Sequence, residues 1–447
     1  MIRMDGWLRA MEHLPEGVRL AEVNAERIRC TDLTVKNGEA ISSSSFDQTR
    51  YYVRAGSESL GMVYTERGEG EESLLLKAAS DQARLVSGKT PPLLRDADVF
   101  RDMDMAGEES IRDMLDCGAR AEKAMEGLQI RQLHVRVTRR ESRTLNSRGL
   151  DAASGRSWAE LSAVAALPRS GMQDAEAENG VSARSLSGLD PEAFGGKIRR
   201  LCDLTDGHGL RPVTVPGGSH DCVMTGQVLR NILMTAWRSL SAEAMQGGSS
   251  CFRPGERIGS RAVEILNAPS HPLSGKSWPV DSEGTRVERT VLVREGILRE
   301  PMYTLSSGAK DGKESNGCAG RIPVMTGNVP IAVTTVPGFV YLRPDERESL
   351  EGLVARMGTG IVLTYSLDLF HSVNVASGLF SVPCGGFYVR NGEAVGSVSQ
   401  MTVAGHLREL FGAVEAVADD LDFDDFYFRN YCVGSPSALL RGLRFAT

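Results

Sequence analysis

The residues able to carry acid, base, nucleophile or metal chemistry are spread thinly along this chain. Its seven histidines, His13, His134, His208, His220, His271, His371 and His406, never stand three, four or five positions apart. No helix can therefore present two of them on one face, and a zinc site would have to draw its ligands from distant segments. Neither HExxH nor HExxxH occurs, and there is no GxSxG elbow, P-loop or glycine-rich dinucleotide fingerprint.

Four local clusters remain. Ser219, His220, Asp221 and Cys222 directly precede a strongly apolar segment. They could set a thiolate at a helix N-terminus beside an imidazole, which would activate Cys222. Adjacent side chains seldom point at one another, so the cluster reads instead as an N-cap turn, with Asp221 capping and Cys222 packing. Asp281, Ser282, Glu283 and Gly284 could form an acid/base pair or a metal site, and read as an Asx-type surface turn. Asp419, Asp420, Asp422, Asp424 and Asp425 lack the glycine and terminal glutamate of a calcium loop and read as a solvated face. Cys384, at an expected turn before a strand, has no histidine beside it and reads as a buried structural thiol. No catalytic or metal-ligating residue is assigned, and His371, Cys384 and His406 are the candidates for binding.

Positioning such groups falls to alternating blocks of helix and strand. Ile2, Trp7, Leu8, Met11 and Leu14 recur at helical spacing over residues 1–15. Residues 18–35 read as a strand closed by a type I′ turn at Asn37-Gly38. Strands over 48–54 and 59–65 precede a helix over 72–85, and Pro91-Pro92 ends that unit. A helix over 110–125 leads to a strand over 129–138, with neighbours at 143–147 and 158–167 and a turn at Ser154-Gly155. Asp190 is placed to cap a helix over 191–203. The stretch Asp206-Gly207-His208-Gly209 reads as a domain boundary.

Beyond it, the stripe Val228, Leu229, Ile232, Leu233, Ala236, Trp237 and Leu240 predicts one long helix over 222–246, stopped at Gly247-Gly248. Hairpins follow over 287–298 and 387–395, the second turning on Asn391-Gly392, with an alternating stretch over 329–337. Helices are expected over 346–357 and 406–417, and the tail 436–445 is expected to be helical and then extended. The fold class is thus α+β: an N-terminal helix and antiparallel-sheet domain over 1–205, then a mostly β domain with one long helix over 206–447.

Composition narrows the function classes. At 447 residues, with 41% hydrophobic and 24% charged residues, the chain can bury a sizeable core without disulfide or metal staples. A net charge of −7 argues against nucleic acid or an anionic membrane as partner, since both need a basic face. Eight cysteines without a CxxC pair, no signal-like apolar run and no stretch long enough to span a bilayer suggest buried free thiols in a reducing cytoplasm.

Several segments, in order, resemble the TldD/PmbA family of peptidase subunits. They are the long-helix segment, then QGGSSCFRPGERIGS at 246–260 and VDSEGTRVERTVLVREGIL at 280–298. SNGCAGR at 315–321, the stretch 377–411 and GSPSALL at 434–440 complete the series, with LNSRG at 145–149 a weaker echo in the first half. Two family signatures are altered: D-D-E-G reads Asp281, Ser282, Glu283, Gly284, and A-G-N reads Ala404, Gly405, His406.

The resemblance implies two arms. TldD-type members carry HExxxH on the helix opening the second half, which supplies zinc ligands and a general base. The corresponding segment here, 222–237, has neither histidine nor carboxylate. The chain is thereby identified with the PmbA (TldE) arm, whose members resemble non-catalytic partners of a TldD-type subunit. That implies no cofactor in this chain, zinc in the partner, a dimer or higher oligomer, and small or unfolded peptides as substrate. A specialised role, trimming a modified peptide in a biosynthetic pathway, fits the departures. The alternatives are a self-sufficient thiol-dependent hydrolase and a peptide-binding scaffold homodimer.

Overall fold

The computed structural model describes residues 1–446 apart from 86–92, 170–173, 207–208, 322–331, 368–370 and 424–430. The proline break at 91–92, the centre of the boundary at Gly207 and His208, the start of the alternating stretch at 329–331, and Asp424 and Asp425 lie outside the described residues.

The first half runs α1 (Asp5–Glu12), β1 (Leu20–Lys36), β2 (Glu39–Gly56), β3 (Leu60–Thr65), α2 (Glu72–Leu85), β4 (Val99–Asp104), α3 (Ile111–Ala124), β5 (Gln129–Asn146), β6 (Asp151–Leu167), β7 (Ala175–Ala183) and α4 (Pro191–Asp206). The strands form one seven-stranded sheet in the order β3-β2-β1-β5-β6-β4, with β7 also paired to β6. All pairings are antiparallel except β4 with β6. Local chemistry explains much of this. Asn37 and Gly38 adopt φ of 54° and 70°, closing the β1–β2 hairpin in the left-handed region that suits these two residues. Ser110 accepts from the Asp113 amide and Asp190 from the Ala193 amide, fixing the starts of α3 and α4. The turn expected at Ser154-Gly155 is instead strand, inside β6.

The sheet's two faces differ because strand side chains alternate. Ala21, Val23 and Ala25 on β1, with Tyr51 and Val53 on β2, pack against Trp7 of α1 and Leu76 of α2. Further along, Leu33, Leu133 and Ala159 pack against Met114 of α3 and Phe194 of α4. Burying one such large apolar side chain contributes about 1.5–3 kcal/mol. The opposite face is polar and turns toward the second half.

The second half contains β8 (Gly218–Met224), α5 (Gly226–Ala236), α6 (Ala242–Gln246), β9 (Ile265–Ala268), β10 (Thr290–Arg294), β11 (Ile297–Leu298), α7 (Leu305–Asp311), β12 (Ala319–Gly320), β13 (Thr334–Thr335), β14 (Phe339–Leu342), α8 (Leu350–Met357), β15 (Gly360–Ser366), β16 (Leu379–Arg390), β17 (Glu393–His406), α9 (Leu407–Ala413), β18 (Val414–Val417), β19 (Asp422–Phe423), β20 (Cys432–Ser435) and β21 (Ala438–Ala446). Two six-stranded sheets, β11-β10-β9-β14-β20-β19 and β17-β16-β15-β8-β21-β18, enclose α5. Their shared core joins Val228, Ile232 and Leu233 of α5 to Ile265, Leu292, Ile361 and Leu440.

The long helix expected over 222–246 is broken. Cys222 belongs to β8, paired in parallel with Ile361 and antiparallel with Leu440. The helix proper begins at Gly226 and passes at Trp237 into a 3-10 turn, before the short α6. Burial on nearly all sides, rather than along one stripe, reflects its place between two sheets. The tail is also corrected, since Ala438–Ala446 is strand from its start. The helix expected over 406–417 ends at Ala413 and continues as β18.

Candidate functional site

Two places concentrate polar groups inside this framework: the entry of α5, and the cleft between the polar sheet face and the second half.

At the entry of α5, a Cβ on Gly226 would stand 2.4 Å from the Ser435 carbonyl oxygen, so glycine lets the helix start hard against β20. The Gly226 amide donates to Ser437 Oγ at 3.1 Å, and Ser437 Oγ in turn donates to Asp420 at 2.6 Å. Ser437, in the GSPSALL segment, thus serves as the acceptor that closes the helix start. On the helix, Arg230 is 2% exposed and donates to Asp422 Oδ2 at 3.1 Å. Asn231 donates to Ser366 Oγ at 2.8 Å. Lys197 of α4 also pairs with Asp422. Burial alone would raise the Asp422 carboxyl, but Lys197 and Arg230 together hold it below the ordinary 3.8. Asp422 is therefore a structural partner, while Asp419 and Asp420 are exposed as a solvated face requires, Asp420 also accepting from Ser437.

These groups do not fit a zinc ion. The helix offers a buried guanidinium where a dication would need anionic or imidazole donors. Among the described residues no group of three or more His, Cys, Asp or Glu is placed to hold a metal.

The three candidate binding residues are not brought together. Cys384 lies within β16, not at a turn, paired with Ser366 and Met401 and 1% exposed. Burial pushes its thiol up to about 11. His406 starts α9: its Nδ1 accepts from the Arg408 amide at 3.0 Å while Glu409 accepts from the His406 amide. That is a capping box, which holds the ring in a structural role. His371 is exposed, ahead of β16. Cys222 is fully buried, and its thiol is raised strongly by burial.

The cleft is built on the polar sheet face. Register sets Glu22, Asn24 and Glu26 of β1 opposite Arg54, Tyr52 and Arg50 of β2. On its other side β1 sets Glu26 opposite Ser142 and Ile28 opposite Arg140, and β5 then sets Arg140 opposite Arg156 of β6. Polar residues at every second position thus tile one face across four strands.

The segment 281–284 closes onto this face and is buried, not a surface turn. Asp281 is indeed an Asx turn, with Oδ1 accepting from the Glu283 and Thr285 amides and Oδ2 from the Ala319 amide. Burial and the neighbouring Glu283 carboxylate raise it, against the pull of those amides. Arg54 bridges the halves, reaching Glu22 at 2.6 Å and Glu283 at 3.0 Å. Glu283 Oε2 also accepts from the Leu305 amide at 2.9 Å. Nearby, Lys276 pairs with Glu160 at 2.8 Å, both nearly inaccessible.

Beside the Arg54 bridge the cleft stays open as a cavity of about 120 Å³. Arg50, Arg140, Arg156 and Arg321 line it, with Glu26 and Asp281. The Arg321 guanidinium lies 3.9 Å above the Tyr52 ring and donates to Asn24 Oδ1 at 2.9 Å. These arginines look scattered in sequence, at positions far apart. The signal that could have gathered them is the two-residue alternation of charge in Glu22, Asn24, Glu26 and in Arg50, Tyr52, Arg54.

Residues 217–447 match a family model described as the PmbA/TldA metallopeptidase C-terminal domain. Metalloprotease PmbA of Escherichia coli O157:H7 is 32% identical over 186 residues, 40% of this chain and 37% of that protein. A metalloprotease PmbA homolog of Haemophilus influenzae is 34% identical over 146 residues, 33% of this chain and 29% of that one. The chain thus spans about a third of the length of these curated relatives. The crystal structure of TldE from Thermococcus kodakarensis superposes with a TM-score of 0.84 at 19% identity, covering 99% of this chain and 100% of that one. At that identity the likeness speaks to fold.

Proposed function

Because this chain belongs to the PmbA/TldD metallopeptidase family, we propose that it is a PmbA/TldE-type subunit that completes a peptidase without holding the catalytic metal. The observation that supports this reading most is the composition of α5. Its polar groups are spent inside the fold, Arg230 on Asp422 and Asn231 on Ser366, and none is a zinc donor. A TldD-type partner carrying HExxxH would hold the zinc, supply its water with a base, and form a dimer or larger assembly with this chain. The substrates would be small or unfolded peptides, and a modified peptide matured in a biosynthetic pathway is the specialised form of that role. The setting would be the cytoplasm.

An extended peptide would bind by adding a strand to an open sheet edge. The described edge best suited to this is β2 over residues 39–47, which pairs with β1 alone while β3 covers only residues 51–56. The thiol alternative is weakened by burial, since seven of the eight free cysteines are buried and Cys251 is half-buried. The test is co-purification with a TldD-type partner, metal analysis of each chain, and cleavage of an unfolded peptide. Cleavage should require the partner and stop with a chelator. Cleavage by this chain alone in the presence of chelator would overturn the reading.

A further inference from the structure

The subunit role leaves the arginine-lined cleft unused. Four guanidinium groups face it and only two carboxylates do. Both oxygens of Asp281 are already taken by backbone amides. Glu26 accepts from Arg140 Nη2 at 2.9 Å. Arg156 is spent on Asp102 at 2.7 Å and on Ser277 at 2.7 Å. Arg50 donates to the neutral amide oxygen of Gln48. Arg140 Nε is buried and has no hydrogen-bond partner. Four guanidinium groups thus line the cleft against two carboxylates, in a space large enough for more than a single water.

Its remaining wall is different in kind. Trp278, Pro279, Val287, Val336 and Pro337 line the second-half side. A ligand with a carboxylate at one end and apolar substance beside it matches both walls. The planar fork of arginine suits a carboxylate better than a point charge would, and the partly dry cleft strengthens the pairing.

We infer that this cleft between the halves recognises the carboxylate of a short peptide, received by Arg50 and Arg140, with the adjoining apolar part against Trp278 and Pro337. The peptide class of the ligand rests on the function proposed above. The carboxylate is that of a chain end or of an acidic side chain.

The test is calorimetric titration of the full chain with four probes: tri-alanine, tri-alanine amide, N-acetyl-Ala-Glu-Ala amide and inorganic phosphate. Tri-alanine or the glutamate peptide should bind, and which of them does identifies the source of the carboxylate. The tri-alanine amide should not bind. Arg50→Gln should weaken binding at least tenfold with an unchanged thermal midpoint, Arg50→Lys should recover part of it, and Arg347→Gln on the distant surface should change nothing. The inference is overturned if no peptide binds, if amide and acid bind alike, if phosphate binds as tightly as the peptides, or if Arg50→Gln leaves affinity intact. Because this is binding to the chain alone, its failure leaves chelator-sensitive cleavage with the partner standing, and the converse also holds.

Discussion

Arg54 is held between Glu22 and Glu283, and none of the three side chains is more than 6% exposed. A buried pair adds little net stability, but removing one member strands the others. Replacing Arg54 with Met should cost about 3–5 kcal/mol at neutral pH in denaturant unfolding. Burial, outweighing Arg54, already raises the Glu22 carboxyl above its ordinary 4.5. A raised carboxyl favours the fold most below 4.5 and loses that contribution as pH rises through its folded value. The cost of Arg54→Met should therefore shrink as the pH is lowered toward 4, and a cost independent of pH would contradict this account. The thiols give a second check at this scale. Seven of eight are buried, and burial lifts Cys117, Cys202 and Cys384 to about 11. A chromogenic disulfide reagent should titrate about one thiol in the native protein, Cys251, and eight after denaturation.

Among the elements, those written by local chemistry were legible. The turns at Asn37-Gly38 and Asn391-Gly392 need left-handed residues and occur where those residues stand. The helix expected over 72–85 is found with those bounds, and Ser110 and Asp190 cap as their positions suggest. Elements set by distant partners were not legible. Cys222 to Met224 is a short apolar run, which periodicity alone cannot assign to helix or strand. Its pairing with Ile361 to Leu363, more than a hundred residues away, makes it a strand. The cleft was hidden for the same reason: Glu22, Arg54 and Glu283 meet only through sheet register and the closure of the second half. His406, a candidate for binding that stands in place of the asparagine of A-G-N, caps the start of a helix. Substituting His406 with Ala should cost about 0.5–2 kcal/mol, read as a lowered thermal midpoint, with partner-dependent cleavage retained. Loss of cleavage at unchanged stability would return His406 to the list of functional residues.

At the scale of the molecule, Leu204 of α4 packs on the apolar cluster around Val223 and Phe387, and charge and hydrogen bonds also join the halves. Arg54 with Glu283, Lys276 with Glu160, Arg321 with Asn24, and Asp422 with Lys197 all cross between them. Asp422 makes this contact sensitive to acid. Its carboxyl is held below 3.8, so its contribution is present above that value and is lost as pH falls through the depressed one. Asp422→Asn should destabilise the protein at pH 7 and flatten its acid-unfolding limb below pH ~4. Unfolding followed from pH 7 to 2 checks both, and a variant with the parent's acid limb would rule out this role.

The strand made last in its sheet, β21, is not an edge strand. It lies between β8 and β18 and also touches β17. During synthesis, β8 and α5 emerge some two hundred residues before β21, and until it arrives β8 has a bare flank and the apolar surround of α5 stays incomplete. Antiparallel pairing over so long a separation is slow, and the waiting surface is adhesive. The nascent second half thus depends on its final strand to become self-contained. Until then the bare flank of β8 is the surface most open to wrong pairing.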